Sequence, residues 1–335
     1  MNSQKTVRVV KFKETGSAEV LTLETVEMPI PKSHEILIEV KAIGLNRADV
    51  MYRNGMYIET PQFPAMLGYE ASGIVESVGN DASGQFSAGD VVSIIPAFSL
   101  HDYATYGDYI IVPAYAVQKH PAKLSFNEAA TLWTSYLSMY GILVDSAKMK
   151  AGDIVVINAA SSATGLAAIQ IVNYLGGISI ALTTSASKKE ALINAGAKYV
   201  VVTSEDNLIN EIATISNGKG ANIILDPVTG EKFGELVSTV AEYGKVYVYG
   251  ILSSAPSVFP AMQVLMKTPT IKGYNAMEIL ADPVKLPQAI AFVSNGVEDS
   301  AFKPLVNKTF ALSEIVEAHK YLESNTQFGK IVVIP

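Results

Sequence analysis

The chain has 335 residues, of which 49% are hydrophobic and 17% charged, with a net charge of −7. This composition excludes a disordered chain, and at this length two domains of ordinary size are expected. The negative balance, spread without a basic face, excludes nucleic acid as a partner, and the absence of cysteine excludes disulfides, thiolate nucleophiles and all-thiolate zinc sites.

No apolar run reaches the roughly 18 residues that cross a bilayer, and MNSQKTVRVV lacks the apolar core of a signal peptide. The expectation is a cytoplasmic protein with no membrane partner. Up to about residue 120 the runs VRVVKF, EILIEVKAIGL, SGIVESVG, DVVSIIP and DYIIVP are separated by Gly, Pro and Asp turns, which predicts a small barrel or sandwich.

From about Asn127 the pattern becomes helical in NEAATLWTSYLSMYGILV, and AGDIVVIN then begins an alternation of strands and helices. Strands are predicted at IVVIN, ISIAL, YVVVT, NIILD and KVYVYG, with a sixth at TIKGY. Helices are predicted at TGLAAIQIVNYL, KKEALINA, NLINEIATI and KFGELVSTVA. Such alternation implies right-handed crossovers and a doubly wound parallel sheet. The segment after residue 262 contains a helix, LSEIVEAHKYLESN, and a last strand, GKIVVIP, too little for an independent domain; it is expected to return to the first one.

The turn INAASSATG follows the first strand of the alternating region, where a dinucleotide-binding sheet presents helix N–H groups to a pyrophosphate. Only Gly165 is glycine there. Ser161 and Ser162 offer hydroxyls that can donate to phosphate, and the same residues also suit a plain helix N-cap. At the end of the second strand, TTSASKKEAL has no acid before Glu190 to hold a ribose 2′-hydroxyl, while Thr183, Thr184, Ser185, Lys188 and Lys189 supply hydroxyls and charge. That pattern favours NADP(H) over NAD(H), although lysine pairs also occur on plain surfaces.

Taken in order, IGLNRADVMYRNGMY, FPAMLGYEASGIVESVG, AGDVVSIIPAF, NEAATLWTSYLSMYGIL, the unit from Asp153 to Lys189, ILDPVTG and QFGKIVVIP resemble the medium-chain dehydrogenase/reductase superfamily along nearly the whole chain. The zinc-free quinone oxidoreductase branch is the nearest in pattern. The resemblance implies an α/β chain with a GroES-like β-barrel domain at 1–126 and 263–335, and a doubly wound Rossmann domain at 127–262. It also implies a homodimer through edge strands of the Rossmann sheet, with TIKGY as the candidate edge.

Zinc enzymes of this superfamily draw catalytic ligands from a Cys, a His and a later Cys. The matching positions here are Asn46, Tyr69 and Thr134; Glu70 alone remains, and one carboxylate is not a catalytic zinc site. No metal is expected. His34, His101, His120 and His319 form no HxxxH or HxH pair and read as surface or internally satisfied residues. Without a Lewis acid the accessible hydride acceptor is conjugated, a quinone or an α,β-unsaturated carbonyl, whose developing oxyanion needs hydrogen-bond donors.

The candidates for that catalytic work are Asn46, Tyr52, Tyr57 and Tyr69, with Asp49 and Arg53 as a pair shaping their loop. For the cofactor, the resemblance implies Ala163, Thr164 and Gly165 near the pyrophosphate, Thr184, Ser185 and Lys188 near the 2′-phosphate, and Gly250 and Ile251 near the nicotinamide, with Thr134 and Ser138 lining the same region. Two other readings stay open: an enoyl thioester reductase, and an NADPH-binding protein with little catalysis.

Overall fold

The β-branched runs near the N-terminus become strands because alternation lets one face of each reach a core. The computed structural model describes residues 5–335; residues 1–4 of the expected first domain lie outside them. The chain divides into two compact units, one running up to Thr134 and resuming at Lys303–Pro335, the other spanning Ser135–Phe302.

In the first unit the strands are β1 (Thr6–Lys11), β2 (Thr22–Glu27), β3 (Glu35–Gly44), β4 (Glu70–Val78), β5 (Val91–Ile94), β6 (Tyr109–Pro113) and β7 (Val117–Lys119), joined by β14 (Val306–Ala311) and β15 (Lys330–Ile334). β1 and β2 form an antiparallel pair, and the larger sheet runs β14-β15-β3-β4-β5-β7 with β6 also on β3. Ile36, Ile38, Ile43, Leu67, Ile94 and Tyr106 fill its core. The tail completes this sheet through Val332 opposite Gly44 and Val333 opposite Ile43. Gly44 is needed there, since a Cβ would stand 1.9 Å from the Ala130 carbonyl oxygen. Helix α1 (Arg47–Arg53) follows β3 directly, with its N-cap at Asn46.

The second unit carries helix α2 (Trp133–Tyr140), whose first two residues fall in unit one, and strands β8 (Ile154–Ile157), β9 (Ile178–Thr183), β10 (Tyr199–Val202), β11 (Ala221–Asp226), β12 (Val240–Val248) and β13 (Thr270–Gly273). All pair in parallel in the order β10-β9-β8-β11-β12-β13. Helices α3 (Ala163–Tyr174), α4 (Lys189–Asn194), α5 (Leu208–Ile215), α6 (Phe233–Ser238) and α7 (Ala261–Lys267) alternate with the strands, and α8 (Lys285–Glu298) follows β13. Strand order reverses between β8 and β11, the topological switch point of such sheets. No helix among the described residues is long and apolar enough to cross a membrane.

The division differs from the 126/127 and 262/263 boundaries expected from sequence. Residues 127–134 stay with the first unit because Trp133 Nε1 donates to Ser93 Oγ at 2.8 Å and the Thr134 N–H donates to Glu70 at 2.8 Å. Residues 263–302 stay with the parallel sheet, because β13 extends it beyond β12 and Phe292 and Phe302 of the α8 region pack with Tyr140 and Tyr174. Only the last stretch, with helix α9 (Ile315–Glu323) and β15, returns to the first unit.

Candidate functional site

In the first unit the end of β3, the start of β4 and β15 bring three distant residues together. Lys330 Nζ lies 2.6 Å from Asn46 Oδ1 and 2.6 Å from Glu70 Oε2, and Asn46 Nδ2 donates to Glu70 Oε2 at 3.1 Å. The other Glu70 oxygen accepts the Thr134 N–H. Asn46 Nδ2 also donates to the Gly44 carbonyl, so its amide is committed on both ends. Both members of the Lys330–Glu70 ion pair are buried, with side-chain exposures of 5% and 1%.

Asp49 begins a second buried chain. Its Oδ2 accepts the Asn46 N–H at 2.8 Å and the Tyr106 hydroxyl at 3.0 Å, while Oδ1 has no partner. Burial raises its pKa to about 7, against the opposing pull of those donors. Arg53 Nη1 donates to His319 Nδ1 at 2.9 Å, which leaves the proton on Nε2, 3.3 Å from the Tyr106 oxygen. Burial, then the Arg53 charge, lowers the His319 pKa to about 3, so the ring is neutral. Arg53 also donates to Glu323 at 2.7 Å. The expected Asp49–Arg53 pair is therefore corrected: the two residues are separate ends of a relay through His319 and Tyr106, because the guanidinium finds Glu323 and the Gly16 carbonyl on its own side.

The tyrosine candidates divide. Tyr52 is 1% exposed and packs edge-on against Phe12 in the core, which removes it as a group facing a substrate. Tyr57 and Tyr69 stand together, ring centroids 6.1 Å apart. Burial raises both pKa values. Both phenols therefore keep their protons, and either hydroxyl can donate.

In the second unit the turn after β8 closes on hydrogen bonds of its own. Ser162 caps α3, its hydroxyl oxygen accepting the Gly165 N–H at 3.0 Å, and Ala159 adopts a left-handed φ of 49°. A Cβ at Gly165 would stand 2.6 Å from the Ala160 backbone, so this one glycine is what lets helix and turn pack. The N–H groups of the first turn, at Ala163 and Thr164, have no intrahelical acceptor. Lys188 Nζ reaches Ser161 Oγ at 3.2 Å, joining the end of β9 to the turn, and burial lowers its pKa. Thr184 is exposed and Ser185 Oγ bonds Ser187 Oγ.

At the switch point Asn158 Nδ2 donates to Asp226 Oδ1 at 2.9 Å, tying the ends of β8 and β11. Gly250 passes against Pro227, and Ile251 is exposed. On α2 the positions short of full burial are Thr134 and Ser138, four residues apart and so on one face. The free N–H groups at the start of α3, with Ser161 and the Lys188 ammonium beside them, suit a dinucleotide diphosphate.

Residues 32–122 match the family described as alcohol dehydrogenase GroES-like domain, and residues 195–333 the family described as zinc-binding dehydrogenase. Human quinone oxidoreductase is 29% identical over 99% of this chain and 98% of its own length. The human synaptic vesicle membrane protein VAT-1 homolog is 26% identical, covering 92% of this chain and 80% of its own. The crystal structure of Escherichia coli quinone oxidoreductase complexed with NADPH superposes with a TM-score of 0.88 at 26% identity, covering 98% of this chain and 100% of that one.

The chain belongs to the medium-chain dehydrogenase/reductase superfamily, on its quinone oxidoreductase-like branch. The expected α/β architecture, a GroES-like domain with a Rossmann sheet, is borne out. An amide, a phenol and a hydroxyl stand at the ligand positions, and the Lys330 ammonium occupies the anionic end of Glu70. A second cation there would meet a fixed positive charge, so these residues do not fit a catalytic zinc.

Lys330, Tyr106, Asn158 and Asp226 are residues that the sequence did not single out, whereas His319 is internally satisfied as expected. Lys330 stands in QFGKIVVIP, but nothing in local spacing links a lysine there to the start of β4.

Proposed function

We propose that the protein is an NADPH-dependent, zinc-independent reductase that transfers hydride to a quinone or an α,β-unsaturated carbonyl compound. The observation that carries this reading is the buried Asn46–Glu70–Lys330 cluster, which holds a fixed ammonium where a Lewis acid would otherwise activate an alcohol. Similarity to a quinone oxidoreductase solved with NADPH supports the cofactor. So does Lys188 beside Ser161, with no carboxylate at the end of β9.

When bound, NADPH supplies the hydride. Ala163, Thr164 and Gly165 offer backbone N–H groups to the diphosphate, with Ser161 and Ser162 beside them. Thr184, Ser185 and Lys188 hold the 2′-phosphate. Gly250 and Ile251, with Thr134 and Ser138, border the nicotinamide end. As hydride reaches the β-carbon, electron density moves to the carbonyl oxygen, where the Tyr57 O–H can stabilise it. The Tyr69 ring packs beside Tyr57, and Asn46, its amide committed internally, fixes the loop rather than the substrate.

The test follows NADPH and NADH oxidation against quinones, enones, enals and enoyl thioesters, with metal analysis of the same sample. Preferred turnover of quinones or enones with NADPH, in metal-free protein, is expected. Preference for NADH, or stoichiometric zinc, sinks the reading; turnover confined to enoyl thioesters would move it to the thioester reductase. Tight NADPH binding without turnover would make it a binding protein.

We also infer a homodimer built on β13, the edge of the parallel sheet. The neighbouring segment exposes Val258, Phe259, Met262, Leu265 and Met266, an apolar set beside an open edge.

A further inference from the structure

The stretch YIETPQFP, residues 57–64, carries the Tyr57 phenol, and it has no backbone pairing to hold it in place. Before it the Met56 N–H donates to the Met51 carbonyl, and after it Ala65 exchanges bonds with Phe12. Among the described residues, none of 57–64 bonds another backbone group. Pro61 and Pro64 have no N–H to offer. A segment of this kind opens at little cost unless side chains tie it down.

Glu59 and His101 are such ties. Glu59 Oε2 accepts the Ser99 hydroxyl at 3.1 Å and the Leu100 N–H at 2.9 Å. His101 Nε2 donates to the Thr60 carbonyl at 2.8 Å, and its backbone N–H donates to Ser99 Oγ at 3.1 Å, which closes a ring of bonds between the two segments. The second segment is itself anchored, since Leu100 is buried and Phe98 just before it packs on Tyr69 with ring centroids 5.7 Å apart. Tyr69 is the ring against which Tyr57 rests. Glu59 therefore joins the loop of Tyr57 to the same wall that supports the Tyr57 ring. Burial is the first cause that raises the pKa of both phenols, and the Glu59 charge adds to it, so the carboxylate stands close enough for each to feel it.

We propose that Glu59 is a positioning residue, which fixes the Tyr57 hydroxyl for the developing oxyanion by tying its loop to Ser99 and Leu100. The proposal rests on the reading of Tyr57 as the oxyanion donor. Loosening the loop would misplace a donor whose work is done in the transition state, so turnover should fall while cofactor binding stays as it was. The two side chains should then be energetically coupled.

The experiment measures kcat and KM with a quinone or enone that the wild type reduces, together with NADPH dissociation constants and melting temperatures. It compares wild type, Tyr57→Phe, Glu59→Ala, Glu59→Gln and the double variant Glu59→Ala with Tyr57→Phe. Tyr57→Phe and Glu59→Ala should each lower kcat about tenfold or more, with NADPH binding unchanged. Glu59→Gln, whose amide oxygen can accept the same two donors, should recover most of that loss. Adding Tyr57→Phe to Glu59→Ala should cost less than about threefold more, because the phenol is already out of place.

Full additivity, in which Tyr57→Phe costs the same factor in Glu59→Ala as in wild type, overturns the proposal. Equal losses for Glu59→Gln and Glu59→Ala overturn it as well. A lower melting temperature for Glu59→Ala with kcat intact would show a tie that serves the fold alone, and ends this inference without touching Tyr57. If Tyr57→Phe leaves the kcat of the wild type unchanged, Tyr57 is not the donor and the reading beneath the proposal fails with it; a wild type inert towards every acceptor ends the reductase reading altogether.

Discussion

Lys330 and Glu70 are 2.6 Å apart and nearly unexposed, which makes them costly singly and tolerable together. Removing one partner leaves a buried charge without its counterion, typically about 3–5 kcal/mol, whereas replacing both by neutral groups can be close to neutral. Lys330→Met should therefore lower unfolding stability by about that much, and Lys330→Met with Glu70→Gln should recover most of it in denaturant titrations. Failure of the double variant to recover would show that the lysine acts mainly through Asn46. Asp49 gives a pH signature of its own. Its folded pKa, raised to about 7, lies above the unfolded value, so its contribution is full below about pH 4 and is lost as pH rises through about 7. The melting temperature of wild type relative to Asp49→Asn should fall between about pH 4 and about pH 7, by the equivalent of a few kcal/mol. A difference independent of pH would mean that Asp49 is ionised throughout. Neither the Lys330–Glu70 nor the Asp49–Tyr106 partnership was legible in the sequence, because each joins positions far apart in the chain that only the fold brings together.

The turn and its helix show what was legible. A strand, a run of small residues and a helical pattern placed Ser162 and Gly165 correctly at the start of α3, since capping and close packing are local chemistry. The α1 helix was not legible, although Asn46 and Asp49 stand three apart as an N-cap and its acid do, because a helix of seven residues is under two turns and carries too little periodicity. Two residues near the turn should now separate by role. Ser162→Ala removes the cap and should cost about 1 kcal/mol of stability. Lys188→Ala, at a half-buried ammonium whose bond to Ser161 joins strand end to turn, should leave stability nearly unchanged. It should raise the NADPH Michaelis constant about tenfold or more, with little effect on NADH. Steady-state kinetics with both cofactors checks this, and equal effects on the two would remove Lys188 from the 2′-phosphate.

At the scale of the chain, alternation of strand and helix was enough to predict six parallel strands, while the boundary at 262/263 was not readable, because β13 is short and only α8 behind it shows which sheet it joins. That same short strand decides the assembly. β13 ends the six-stranded sheet, so one side of its backbone is unpaired, and its lysine, Lys272, is drawn to Glu278 at 2.7 Å instead of guarding the edge. Beside it α7 holds Leu265 and Met266, each 73% exposed, with Met262 at 63%. Exposed apolar residues are ordinary one at a time; a helix carrying three next to an open edge is stabilised by covering them. If two copies join there, Leu265→Asp with Met266→Asp places four carboxylates in one apolar contact and should convert a dimer to a monomer in sedimentation equilibrium. The substituted side chains already face solvent within one chain, so the monomer's circular dichroism should be unchanged. A wild-type protein that sediments as a monomer, or a variant that remains dimeric, would place the assembly elsewhere or nowhere on this sheet.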